Sequence, residues 1–304
     1  MHTVKRAAEL TGIAPDTLRM WERRYAVVTP QRSQGGYRIY DDAAMRRLAA
    51  MKNLVDSGWS PGQAARRILE DEARGVDAVP VQPAAAMGDV DALAHIGRDL
   101  DGPALDRALD EAFALGTFEQ VVDSWLMPSL SRLGSAWRDG SVTVAGEHFV
   151  SATVQRRLAA LFDAAGRSAT GPTVVVGLAR GSRHELGVLA FATALRRSGL
   201  GVVYVGGDLP PEDWVSTIRS RAAAAAVLGV PSPEDVPAVR ETVEALATVA
   251  PDLPVYLGGG HQSSVGGSAQ LLGHAVGPAA RRVADELAAR LLPVAVGPPP
   301  TGDA

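Results

Sequence analysis

The sequence predicts a multidomain chain in three parts: a small all-α head, a four-helix bundle, and an α/β domain on a parallel sheet. Three observations carry this. Apolar residues recur at helical spacing as far as about residue 166. From Pro172 the pattern changes to short β-branched runs separated by helical stretches. Residues 72–88, with Gly75, Pro80, Pro83 and an alanine run, have no periodicity and read as a linker.

In the head, residues 1–71, Thr3 is placed to cap a first helix reaching about Thr11, with Val4, Ala7, Ala8 and Leu10 inward. Gly12 makes a turn. Pro15 suits the first position of a second helix, although Ala14 is a poor cap. Asp41 caps a third helix, with Met45, Leu48, Met51 and Leu54 at helical spacing, and Ser60-Pro61 opens a fourth that ends near Glu70. Residues 89–168 are helical, with breaks at Asp101-Gly102-Pro103, Gly116-Thr117 and Asp139-Gly140-Ser141, which gives four helices with short loops. Pro128 falls inside the third and predicts a kink. In residues 172–294 the strands are predicted at 173–178, 202–205, 225–230 and 254–257, and the helices at about 185–199, 211–221, 233–249 and 279–292. Residues 295–304, rich in proline and glycine, read as a disordered tail.

Composition narrows the function classes. The 304 residues include no cysteine, so disulfides and thiolate metal sites are excluded, and a transition metal must rest on the six histidines or on carboxylates. The N-terminal residues lack the apolar core of a signal peptide and no apolar run approaches a membrane span, so a cytoplasmic protein without membrane partners is expected. The net charge of -4 is unevenly placed. Residues 1–71 hold 12 basic against 8 acidic residues, whereas the rest hold 18 against 26. A basic head on an acidic body suits a nucleic-acid-binding module on a separate sensor.

The second helix carries Thr17, Arg19, Trp21, Arg23 and Arg24, and the glycine turn after it presents Arg32, Tyr37 and Arg38. A helix fits the major groove, and arginines and tyrosines on a turn can hold phosphates. Thr17, Arg19 and Arg24 are assigned to the groove and its phosphates. Arg32, Tyr37 and Arg38 are assigned to the backbone. Trp21 is expected to lie partly in the core with its N–H free for a phosphate, and Arg23 to pair with Glu22 or solvent. The order and spacing resemble the winged helix-turn-helix of the MerR family of transcription regulators. That resemblance implies a double-stranded DNA operator as partner.

At the end of the first predicted strand of the α/β domain stands Arg180-Gly181-Ser182-Arg183-His184-Glu185-Leu186-Gly187. Ligands of open α/β sheets bind beyond the carboxyl ends of strands, so His184 is placed to meet one, with Gly187 allowing close backbone approach. Gly206-Gly207, Gly229 and Gly258-Gly259-Gly260 end later strands and could line a groove for a long polar tail. The arrangement is similar to the Rossmann-like cobalamin-binding domain of corrinoid proteins. By that match His184 is the lower axial ligand of cobalt. Ser182 stands where the family has an acidic residue that orients the ring, and its hydroxyl is expected to accept from the imidazole. Gly229 stands where the family often has a serine.

Upstream, Trp137 is followed ten residues on by Glu147 and then His148. The spacing resembles the cap of the light-sensing cobalamin regulators of the CarH and LitR type. The resemblance implies that Trp137 covers the upper face of adenosylcobalamin and that Glu147 and His148 line the adenosyl pocket. It further implies a non-enzymatic repressor whose homo-oligomerisation, as dimer or tetramer, follows the cofactor and light. Position 138 is an arginine, which cannot ligate a metal, where the best-known members have a histidine. Two other readings stay open on the body of the chain. One is a regulator of another cobalamin form or another chromophore, such as a bilin in the interdomain cleft. The other is a corrinoid methyltransferase or mutase component, which leaves residues 1–71 unexplained.

Overall fold

A computed structural model describes residues 2–11, 13–32, 38–56, 61–73, 88–166 and 171–291. The chain divides into two compact units, Met1–Ala86 and Met87–Ala304.

The first unit places helices α1 (Val4–Thr11), α2 (Pro15–Tyr25), α3 (Asp42–Asp56) and α4 (Pro61–Ala73) around strands β1 (His2–Thr3), β2 (Gln31–Arg32) and β3 (Arg38–Tyr40). The strands form an antiparallel sheet in the order β1-β3-β2. The expected caps hold. The Arg6 N–H donates to Thr3 Oγ1 at 3.4 Å and the Ala44 N–H to Asp41 Oδ1 at 2.7 Å. α2 starts at Pro15 without a side-chain cap and stops at Ala26, which is left-handed at φ 51°. Leu18, Trp21, Val28, Tyr40, Leu48 and Met51 are buried in one core. The wing tip with Tyr37 and all but residues 72–73 and 88 of the predicted linker lie outside the described residues.

The second unit begins with the bundle: α5 (Ala92–Asp99), α6 (Gly102–Ala114), a long third helix and α9 (Val144–Ala164). The third helix has three parts, α7 (Phe118–Val121), a π-helical stretch Val122–Leu126, and α8 (Met127–Arg138). Pro128 has no N–H to give to the carbonyl one turn back. The chain accommodates it with a wider turn just upstream, so the predicted kink takes the form of a π turn. Capping is local and strong. Thr117 and Gln120 form a reciprocal capping box, and Asp101 and Thr143 accept from Ala104 and Gly146 N–H groups.

The α/β part runs β4 (Thr173–Ala179), α10 (Glu185–Arg197), β5 (Gly201–Leu209), α11 (Pro211–Ser220), β6 (Ala225–Gly229), α12 (Val236–Val249), β7 (Val255–Gly258), β8 (Gln270–Leu271) and α13 (Val276–Leu291). The sheet is parallel with order β5-β4-β6-β7-β8. In this sheet β8 is missing from the sequence reading, and the three strands of the first unit correct the expectation of an all-α head; stretches of two or three residues carry no periodicity. β4 is central and buried on both faces, which explains its unbroken apolar run. Val174, Val176 and Leu178 point into a core shared with α10, α13 and the bundle, and Val175 and Ala179 into a core with α11 and α12.

The bundle is keyed to the α/β part at specific points. Asp123, in the π stretch, accepts from the N–H groups of Val276 at 2.5 Å and Gly277 at 3.0 Å, and so caps α13. A Cβ on Gly277 would lie 2.9 Å from Glu119 Cβ, so only glycine lets the two elements meet. Glu119 receives Arg197 Nε at 2.7 Å. Arg196 donates to the Phe162 carbonyl at 2.9 Å and stacks over its ring. Burial pushes the Asp123 carboxyl above the usual range despite its two backbone donors. Burial also acts to raise Glu119, but the Arg197 hydrogen bond and charge outweigh it and hold that carboxyl low.

Inside the bundle α5 and α9 cross at glycines. A Cβ on Gly146 would stand 2.2 Å from the Gly97 carbonyl oxygen. Gly146→Ala must part the helices and is expected to cost about 1–3 kcal/mol or more, read as a lower urea midpoint. An unchanged midpoint would show that the crossing tolerates a methyl group.

Candidate functional site

Phe162 near the end of α9 touches Arg196 near the end of α10, and the two helices pack extensively against each other. They therefore run the same way, and their N-termini open at one end of the unit. At 1.5 Å per residue, Glu147 lies roughly 22 Å and His184 roughly 18 Å back from that joint. The tight turn at residues 139–143 returns the end of α8 to the start of α9, which brings Trp137 to the same end. Four residues singled out from sequence, Trp137, Glu147, His148 and His184, thus lie toward one end of the second unit.

On the α/β side that end is the carboxyl edge of the sheet. β4 lies between β5 and β6, so the crossover from β4 to β5 and the next, from β5 back to β6, run in opposite directions along the sheet and make a switch point there. His184 is the residue just before α10; it is exposed and its side chain makes no capping bond. Ser182 is buried, and its Oγ has no hydrogen-bond partner. This corrects the expectation that the serine hydroxyl accepts from the imidazole. The backbone turns Oγ inward, because the Ser182 carbonyl is committed to the Asp208 N–H at 2.9 Å. A Cβ on Gly187 would meet nothing within 4 Å, so this face of α10 is open. Gly229 is different. Its Cβ would lie 2.5 Å from Leu178 Cδ2 on the paired strand β4, so that side chain would have to shift to admit a larger residue. Gly259, at φ 97°, would meet the Val230 carbonyl at 2.7 Å, whereas Gly258 is in ordinary contact.

The sequence reading passed over Tyr204 and Asp208 on β5. Tyr204 donates to Glu185 Oε2 at 2.7 Å, and burial together with that bond pushes its hydroxyl far above the usual range. Asp208 accepts from the Gly181 N–H at 2.7 Å. A tyrosine and an aspartate in a strand give no motif from which these contacts could have been read.

On the bundle side Trp137 is 47% exposed, unusual for a tryptophan at a helix end. Glu147 is half-buried, accepts from Ser151 Oγ, and sits 3.7 Å from the exposed His148. Arg138 is exposed and donates to Ser135 Oγ at 3.0 Å.

In the first unit Arg19 and Arg24 are exposed on α2 and Thr17 is half-buried. Arg19 pairs with Asp16 at 2.8 Å, both largely solvated. Trp21 is 3% exposed and its Nε1 is buried with no partner, so it serves the core and presents no N–H to a phosphate. Its place on the inner face of α2, beside Leu18, fixes this. Glu22 pairs with Arg38, whose Nε lies 2.9 Å from Oε2, and not with Arg23. Arg38 thus bridges β3 to α2. Of the Arg32 side chain nothing is described.

Known proteins match the same divisions. The model for MerR HTH family regulatory proteins fits residues 2–71, and two B12 binding domain models fit residues 90–162 and 172–286. The HTH-type transcriptional repressor CarH of Myxococcus xanthus is 34% identical over 83% of this chain and 87% of its own. The repressor CarA of the same organism is 31% identical over 84% of this chain and 85% of its own. Among solved structures, a monomethylamine corrinoid protein of Methanosarcina barkeri superposes with a TM-score of 0.52 at 13% identity, covering 65% of this chain and 95% of that one; this supports the fold alone.

Because Gly187 lies in a helix with open space over it, Gly187→Ala is expected to keep or raise the stability of the cofactor-free chain, by up to about 1 kcal/mol. Thermal unfolding checks this, and a clear loss would mean that the face is packed.

Proposed function

The chain belongs to the MerR-type transcription regulators that carry cobalamin-binding domains, and we propose that it is a repressor sensing light through adenosylcobalamin. What supports this reading is the shared direction of α9 and α10, which sets Trp137, Glu147 and His148 at the same end of the second unit as His184. The residues present fit such a group. His184 is exposed without a capping bond, a buried Ser182 hydroxyl has no partner, α10 is bare over Gly187, and the Trp137 ring is half in solvent.

In this reading His184 would hold the cobalt through its imidazole, and the strand ends around Gly258 and Gly259 would receive the nucleotide tail. The Trp137 indole, Glu147 and His148 would hold the adenosyl side of the cofactor. Bound adenosylcobalamin supplies a cobalt–carbon bond that light can break. Trp137 ties the bundle to the α/β part only while that pocket is filled. A partner that contacts both parts gains or loses affinity with the contact, which is how a ligand biases an assembly. The oligomer then sets operator binding through the number of heads engaged at once. On the DNA, Arg19 and Arg24 reach the groove and its phosphates, with Thr17 beside them, while Arg32, Tyr37 and Arg38 hold the backbone.

Arg138 favours a variation on this scheme. A guanidinium is permanently protonated and cannot take a vacated coordination position, so the illuminated state lacks a protein ligand from position 138.

Two measurements test the proposal. Light scattering after size exclusion, with adenosylcobalamin present, is expected to give a larger mass in darkness than after green light. Equal masses, with the dark absorption spectrum surviving illumination, would sink the photoreceptor reading and leave a regulator of another cobalamin form. His184→Ala is expected to weaken cobalamin uptake or change its spectrum, and Gly187→Ala to lower uptake while sparing stability. Parent-like uptake and spectra in both variants would remove this site from consideration.

A further inference from the structure

The loop that carries His184 has no regular structure of its own and is clasped by the neighbouring strand. We propose that Asp208 is the positioning residue that sets His184 for axial ligation, an inference that rests on the cobalamin reading of His184. The clasp is reciprocal. The Gly181 N–H donates to Asp208 Oδ1 at 2.7 Å, and the Asp208 N–H donates to the Ser182 carbonyl at 2.9 Å. Arg183, next to the histidine, reaches Asp208 Oδ2 at 3.4 Å.

The surrounding backbone is shaped for this contact. Asp208 is left-handed at φ 57°, a conformation that costs a residue with a Cβ unless something holds it. Gly206 is left-handed as well, and a Cβ on Gly207 would stand 2.7 Å from the Ser182 carbonyl. The Gly181 N–H keeps the Asp208 carboxyl below its ordinary range, so the acceptor is an anion. On the other side of His184, Glu185 is fixed by Tyr204 from the same strand. Ser182 offers no such support from within the loop, since its Oγ is buried without a partner. The carboxylate that orients this loop therefore comes from β5 through backbone bonds, and not from position 182.

Three variants separate positioning from mere folding. D208G removes the carboxylate, relieves the left-handed strain and keeps the backbone N–H. D208N tolerates the same φ and keeps an acceptor for Gly181. H184A tests the ligand itself. In the cofactor-free chain, amide exchange at Gly181 is expected to quicken about tenfold in D208G and to stay within about twofold of the parent in D208N. In protein loaded with cob(II)alamin, the nitrogen splitting that an axial imidazole imposes on the electron-spin spectrum is expected to fall several-fold in D208G and to persist in D208N. Melting temperature should change little in either. A D208G chain with parent exchange at Gly181, or with the parent's nitrogen-split fraction, overturns the proposal. If H184A itself retains the splitting, the ligand reading fails instead, whatever Asp208 does.

Discussion

A half-buried carboxylate between two helical elements holds the second unit in register. Asp123 satisfies two of the N–H groups that any helix leaves free at its start, here those of α13. Its reach depends on the π turn around it, and the approach depends on Gly277. Asp123 alone would be a weak joint, because burial disfavours its charge. The Glu119–Arg197 pair and the Arg196–Phe162 stack stand beside it and share the load. The common end of α9 and α10 follows from the Arg196–Phe162 contact between them.

That dependence explains why the site divides between two kinds of element. The lower half sits where a parallel sheet always leaves room, beyond the strands on either side of the switch point. The upper half belongs to a bundle whose internal spacing is fixed by the Gly97–Gly146 crossing, one residue before Glu147. A helix shift at that crossing would move Glu147 and His148 together. Rigid neighbours decide where the loop residues of the candidate site stand.

Periodicity made most of the fold legible. The central strand β4 betrayed its double burial by an unbroken apolar run, and proline and glycine marked the breaks of the bundle. Strands of two or three residues carry no such pattern, so β8 and the three strands of the head went unseen. The site was half legible. His184 and Gly187 stand in a recognisable string, and Trp137, Glu147 and His148 at a recognisable spacing. Asp208 and Tyr204 were invisible, because their partners, Gly181, Ser182 and Glu185, stand far off in sequence and leave no local pattern. Trp21 misled for the opposite reason: flanked by arginines in sequence, it faces inward because helical phase puts it beside Leu18. Gly229, read from sequence as lining a ligand groove, also leaves room for the Leu178 side chain of the next strand.

The Glu22–Arg38 pair bears on the thermodynamics of the head. Binding to a duplex releases about 0.9 of a counterion for each phosphate a cation neutralises. An arginine whose charge is already met by a carboxylate in the free protein brings less of that entropy with it. Counting arginines on α2 and β3 therefore overstates how steeply affinity for DNA falls with salt. The pair trades electrostatic pull for a guanidinium that is already oriented, so the head depends more on shape and less on ionic strength than its charge suggests.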